Sequence, residues 1–222
     1  MPRHFDPQLD ILPAAQQEIW EQLRPAPGLS FVLYGGTAVA LHFAHRQSVD
    51  FDFFRTEPLD KDEVRRAFAF MDKAEVIQDS PETLAALARM PSGPVRVSFF
   101  GRIRFGRLND PEWTSDDVLL VASLDDLLAT KLKATQDRAD AKDYRDIAEL
   151  LRAGVSLARA LSAFRSMFKG EPAEVLRALG YFDDGDLSSL DKADRALLLD
   201  VRDQIRDLPP VRLMPGLLAG ET

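Results

Sequence analysis

Asp50 and Asp52 stand two residues apart in a run of strong β formers, Val49-Asp-Phe-Asp-Phe-Phe54. In a strand, side chains i and i+2 share a face, so the spacing predicts that Asp50 and Asp52 point one way while Val49, Phe51 and Phe53 point the other. Two carboxylates side by side repel, and each raises the other's pKa unless a cation lies between them. An oxygen-only pair suits a hard cation. Mg²⁺, with Mn²⁺ as its alternate, typically takes one or two protein carboxylates together with substrate phosphates. Upstream, Gly35-Gly36-Thr37 stand just ahead of a helix expected over residues 38–45, where backbone N–H groups and the helix dipole favour a phosphate. Each feature alone has an ordinary reading, a solvated strand face for the acids and a tight turn for the glycines. The joint pattern, Gly-Gly-Thr followed after 12 residues by Asp-Phe-Asp, points instead to a phosphate seat and a metal seat joined by one helix.

The blocks YGGTAVAL and HRQSVDFDFF resemble the polymerase-β-like nucleotidyltransferases, and more narrowly the AbiEii-type group known as toxins of abortive-infection toxin–antitoxin pairs. LLATKLKATQDRADAKDYRDIAELL resembles that group's other signature, a lysine-bearing helix followed by an R…(K/R)D-x-x-D helix. The resemblance covers roughly residues 30 to 152. It implies an α/β (α+β) core with a mixed sheet, followed by C-terminal helices. The implied reaction moves a nucleoside monophosphate from an NTP to an acceptor, with release of pyrophosphate. Asp50 and Asp52 would hold Mg²⁺, and Gly35, Gly36 and Thr37 the triphosphate. Lys131, the motif lysine, would neutralise phosphate charge, and Asp143, the first acid of (K/R)D-x-x-D, would orient Lys131 or the acceptor. The resemblance also implies an RNA acceptor, such as tRNA, and an antitoxin as partner. One departure stands out: a third metal carboxylate is expected on a strand beside the Asp pair, and the natural neighbour, Val95 to Phe105, contains no acid. Ser98 occupies that place. Two carboxylates suffice, or Asp143 completes the site, or the site is degenerate. A small-molecule nucleotidyltransferase and a catalytically degenerate binding module are the alternative functions.

The elements that must position these residues are legible in outline. Pro13 to Arg24 has the start proline and apolar spacing of a short helix, Ser30 to Tyr34 is β-rich, and Asp60-x-x-Glu63 is a capping box for a helix to about Met71. Residues 74–78 read as a strand, and Pro91-Ser-Gly-Pro94 as the turn of a hairpin. In the strand-like run to Phe105, Arg102 and Arg104 share a face; with Arg107 they are candidate acceptor contacts or charges that protect an edge. Residues 118–122 read as a buried strand, and Ser123-x-x-Asp126 starts a helix on which Lys131, Thr135 and Arg138 share a face, with Lys133 turned away. Arg138 joins the candidate acceptor contacts, and Asp146 is expected to pair at the helix surface. Helices follow over 156–168, 172–180 and 190–207, and residues 208–222 read as a loosely held tail. His42, His45 and Arg46 are expected to be structural. The expected division is a core over 1–122 and a helical region over 123–222.

Composition agrees with a folded, water-soluble protein of 222 residues: 45% hydrophobic and 29% charged. No apolar run approaches the roughly 20 residues of a membrane helix. The N-terminus lacks an apolar leader core, so a cytoplasmic location is expected. The absence of cysteine excludes disulfides and thiolate chemistry, and three scattered histidines disfavour zinc. The net charge of −8 is uneven: residues 1–169 carry 22 basic and 25 acidic side chains, residues 170–222 only 6 and 11. A polyanion partner therefore remains compatible with the first part.

Overall fold

The computed structural model describes residues 3–220. They form two units: one of residues up to Gly106, Asp110–Ala122 and the chain from Pro215 on, the other of Arg107–Asn109 and Ser123–Met214.

The first unit is built on a mixed sheet of eight strands among the described residues: β1 (His4–Phe5), β2 (Val32–Tyr34), β3 (Asp50–Phe54), β4 (Glu75–Ser80), β5 (Thr83–Met90), β6 (Gly93–Phe100), β7 (Glu112–Thr114) and β8 (Leu120–Val121). Their order across the sheet is β1-β7-β8-β2-β3-β6-β5-β4. β3 lies between antiparallel β2 and parallel β6. Helices α1 (Ala14–Ile19), α2 (Gly35–Phe43) and α3 (Lys61–Ala67) accompany it.

The alternation in β3 decides which way its acids face. Phe51 and Phe53 are fully buried, and Phe53 stacks on Phe99 with ring centres 5.6 Å apart. Phe99 also meets Phe31 at 5.1 Å and Phe68 at 5.0 Å. Each fully buried Phe contributes roughly 1.5–3 kcal/mol. A slip of one residue would expose these rings and bury the carboxylates, so the register is strongly held. Val49 lies outside β3 and is 61% exposed, contrary to its expected inward place.

Several expected elements differ in extent. The hairpin forms, with Met90 opposite Gly93, but β6 stops at Phe100. Beyond it the N–H groups of Gly101, Arg102 and Ile103 donate to the carbonyls of Glu82, Glu57 and Arg55, and Arg102 has φ 53°. Arg102 and Arg104 therefore do not share a strand face. α1 tightens into a 3₁₀ turn at Trp20–Leu23, which places Trp20 near Phe51 with ring centres 6.4 Å apart. α3 ends at Ala67 because Phe68 turns extended to reach the aromatic core. The tail is not loose throughout: Leu218 is buried and its N–H donates to Thr56 Oγ1 at 3.0 Å.

The second unit contains α4 (Leu124–Asp137), α5 (Ala141–Arg152), α6 (Leu157–Phe168), α7 (Pro172–Ala178) and α8 (Lys192–Asp203), with α4 packed against α5, α6 and α7. Ser123, Ser156 and Asp191 cap α4, α6 and α8 through their side chains. Asp126 does more than complete a capping box. It is 1% exposed and accepts from Ser123 Oγ (2.6 Å), Leu108 N (2.6 Å) and Asn109 N (3.3 Å), which ties 107–109 to the start of α4. Burial pushes its carboxyl above the usual range despite these donors.

Candidate active site

Asp50 and Asp52 lie half-buried on one face of β3, opposite the aromatic core. The turn between β2 and α2 comes up against them. Gly35 has φ +79°, and a Cβ built on it would lie 2.9 Å from Asp52 Oδ2. A Cβ on Gly36 would lie 2.4 Å from Arg46 Nη2 and 3.0 Å from Ser48 Oγ. The two glycines are thus required by close approach of a carboxylate and a guanidinium to the backbone. α2 begins at this turn with no side-chain N-cap and no acid in its first turn. Its leading N–H groups have no partner within the helix, as at any helix start.

Thr37 serves differently from expectation. It is fully buried, and its hydroxyl donates to the Asp50 carbonyl at 2.5 Å. The hydroxyl expected to meet a triphosphate instead pins the acidic strand to the glycine turn. His42, further along α2, stacks on Phe5 at 3.8 Å, and burial lowers its pKa to about 4.

Across the sheet, Asp52 is opposite Tyr34 on β2 and Ser98 on β6, and Asp50 is opposite Arg96. The position where a third acid was expected does lie beside Asp52, and Ser98 holds it. Ser98 is fully buried and its Oγ has no hydrogen-bond partner. Such orphaned hydroxyls are uncommon in folded proteins. The described residues contain no group of three or more His, Cys, Asp or Glu able to hold a metal. The donor chemistry at β3 is two carboxylates, which fits a hard divalent cation that completes its coordination with phosphate and water.

Lys131, Asp143, Asp146 and Arg138 meet in the second unit. Lys131 Nζ lies 2.9 Å from Asp143 Oδ1 and 2.6 Å from Asp146 Oδ2, and both carboxylates are fully buried. Arg138 Nε donates to Asp143 Oδ2 at 2.7 Å. Burial alone would raise the Asp143 carboxyl, but Arg138 and Lys131 outweigh it and hold it below the usual carboxylate range. Both oxygens of Asp143 therefore carry a cationic partner within the second unit. Lys131 is 5% exposed and its charge is balanced, which does not favour its expected contact with a triphosphate. Asp146, expected at the helix surface, is a full member of the cluster; its i+3 spacing from Asp143 was the available signal. Arg138 is not on α4 but is the extended residue that ends it, so it does not continue the face of Lys131 and Thr135. Lys133 pairs with Asp137.

The expected arginine patch is dispersed. Arg102 pairs with Glu82 at 2.5 Å, Arg104 is exposed, and Arg107 is buried in the second unit, where its carbonyl accepts from Met214 N at 2.8 Å.

Comparison with known proteins bears on this geometry. The family described as "Nucleotidyl transferase AbiEii toxin, Type IV TA system" matches residues 19–210. An uncharacterized protein of Aquifex aeolicus (strain VF5) is 28% identical over 158 residues, which cover 69% of this chain and 74% of that protein. The solved structure described as "putative nucleotidyltransferase from H. pylori" superposes with a TM-score of 0.56 at 17% identity, covering 85% of this chain and 90% of the other. At that identity the likeness concerns the fold. No helix among the described residues is long and apolar enough to cross a membrane.

Proposed function

Because the chain belongs to the AbiEii nucleotidyltransferase toxin family, whose activity is the transfer of a nucleoside monophosphate from an NTP, we propose that it uses Mg²⁺ or Mn²⁺ and an RNA acceptor and acts as a toxin. The observation that carries the reading is the contact between the Asp52 carboxylate and Gly35 at the start of α2. It brings a carboxylate of the cation seat against the backbone of the anion seat.

In this reading Asp50 and Asp52 hold the divalent cation. When bound, the cation neutralises phosphate charge and lowers the pKa of an acceptor oxygen. The backbone N–H groups of Gly35, Gly36 and Thr37 orient the phosphates, aided by the dipole of α2. Thr37 keeps Asp50 in register with that turn through its hydroxyl. The aromatic face of β3 excludes water behind the acids and keeps them from rotating away. The Lys131, Asp143, Asp146 and Arg138 cluster holds α4 to α5. Arg104 is the exposed basic residue of the first unit assigned to the acceptor, and an antitoxin opposes the activity in the cell.

The pairing of Arg102 and the burial of Arg107 favour a second reading, a small-molecule acceptor, because they reduce the basic surface a polyanion would need. Incubation of the purified protein with each labelled NTP, Mg²⁺ and total RNA separates the two. The RNA reading expects label in an RNA band, lost in Asp52→Asn. Label that appears only in small molecules would replace it with the second reading, and growth unaffected by expression of the wild type would remove the toxin role.

A further inference from the structure

We propose that Arg46, supported by Ser48, is the side chain that meets the triphosphate at the glycine turn. It deepens the NTP reading above and rests on it. The sequence places Arg46 past the end of α2, where a cation complements the helix C-terminus, and by that logic it is structural. The fold returns it to the opposite end. Its Nη2 lies 2.4 Å, and its Cζ 3.3 Å, from where a Cβ of Gly36 would be, so the guanidinium rests on the first turn of α2. A hydrogen bond from Nη1 to the Gln47 carbonyl at 2.9 Å fixes its plane.

That location runs against the helix dipole, whose positive end repels a cation. Asp52 at Gly35 supplies one anion against this repulsion, and a phosphate on the α2 N–H groups would add a second. A planar guanidinium also matches phosphate oxygens two at a time, which a lysine does not. Ser98 supplies a separate indication that a ligand belongs here. Its buried, unpartnered hydroxyl shares the sheet face of Asp52 through their register pairing. Lys131, by contrast, is held between two buried carboxylates in the second unit. The unit that carries the Asp pair thus has its own cation at the phosphate seat.

The test measures the affinities of the full-length protein for an NTP and for the matching NMP by calorimetry with Mg²⁺, for wild type, Arg46→Gln and Arg46→Lys. The ratio of the two affinities isolates the β- and γ-phosphates from base and ribose. Loss of a charge-assisted phosphate contact is expected to weaken NTP binding by about 10- to 100-fold. NMP binding should change by much less, the melting temperature should stay near that of the wild type, and Arg46→Lys should recover part of the loss. Equal weakening of NTP and NMP, or unchanged NTP affinity in Arg46→Gln, would overturn the proposal while leaving the NTP reading in place. A wild type that bound no NTP would overturn both. If Arg46→Gln melts early, Arg46→Lys decides: a preference for NTP over NMP reduced below that of the wild type supports the assignment, and a wild-type preference refutes it.

Discussion

Lys131→Met tests what the buried cluster between α4 and α5 does. The substitution keeps the length and apolar stem of the side chain but removes the charge between Asp143 and Asp146. Both carboxylates are fully buried, so neither can exchange Lys131 for bulk water without local opening. Asp143 retains Arg138 at 2.7 Å, whereas Asp146 loses its contact with Lys131. Removing one partner of a buried ion pair costs about 3–5 kcal/mol, because the desolvated charge outlasts its compensation. For a chain of this size that is a fall in melting temperature of roughly 6 to 20 °C. Adding Asp146→Asn to Lys131→Met removes one of the two buried carboxylate charges that Lys131 faces, so the double variant should be more stable than the single one. Lys133→Met, which breaks only the i,i+4 pair with Asp137, should cost about 0.5 kcal/mol or less. Thermal and urea unfolding of the four proteins at neutral pH give the comparison. A Lys131→Met variant within about 1 kcal/mol of wild type, with no recovery in the double variant, would refute the reasoning and return Lys131 to the role of a substrate contact. The pH sign follows from the lowered carboxyl of Asp143: its contribution is present above the ordinary carboxylate pKa and is lost as pH falls through the lower folded value. Acid unfolding of the second unit should therefore steepen below about pH 4.

Three other outcomes are expected. Asp52→Asn should abolish turnover and Mn²⁺ binding followed by electron paramagnetic resonance; wild-type turnover would remove Asp52 from the site. Gly35→Ala forces an L side chain into φ +79° and its methyl toward Asp52 Oδ2, so it should lower stability by roughly 1–2 kcal/mol and weaken Mn²⁺ binding as well, whereas unchanged metal affinity would detach the turn from the cation seat. His42 is held neutral in the fold, with its pKa lowered from 6.5 to about 4, so stability is fully present above pH 6.5 and declines by up to about 3 kcal/mol as pH falls toward 4. His42→Phe keeps the stack on Phe5 and should flatten that part of the stability curve in urea titrations; an identical curve would show that His42 stays protonated or exposed.

Local patterns were readable where one physical rule dominated. β3 obeys its period-two alternation because five aromatic rings need the same side of the sheet, and that rule put Asp50 and Asp52 together before any fold was known. The caps at Asp60 and Ser123 form as expected because they depend on residues three apart. Arg102 and Arg104 show the limit of the same alternation rule. Their run keeps a strand-like pattern, but the carbonyls of Glu82, Glu57 and Arg55 take its N–H groups and bend the chain away. Asp146 departs from its expected surface pairing because helical spacing reports which residues share a face and not whether that face is covered, and Arg138 leaves the face of Lys131 because α4 ends one residue before it.

The sequence by itself determined the ingredients of the site: a glycine turn, a helix start and a carboxylate pair, each set by backbone sterics and short-range periodicity, together with motifs that matched the family. Tertiary structure alone decided how those ingredients are used. It spent the Thr37 hydroxyl on the Asp50 carbonyl, placed Ser98 beside Asp52, and buried Lys131 between two carboxylates. It also carried Arg46 from beyond one end of α2 back to the other, onto Gly36. The physical reason is that charge compensation and close approach depend on distance in space, and residues far apart in sequence acquire those distances only when the sheet register and helix packing are complete.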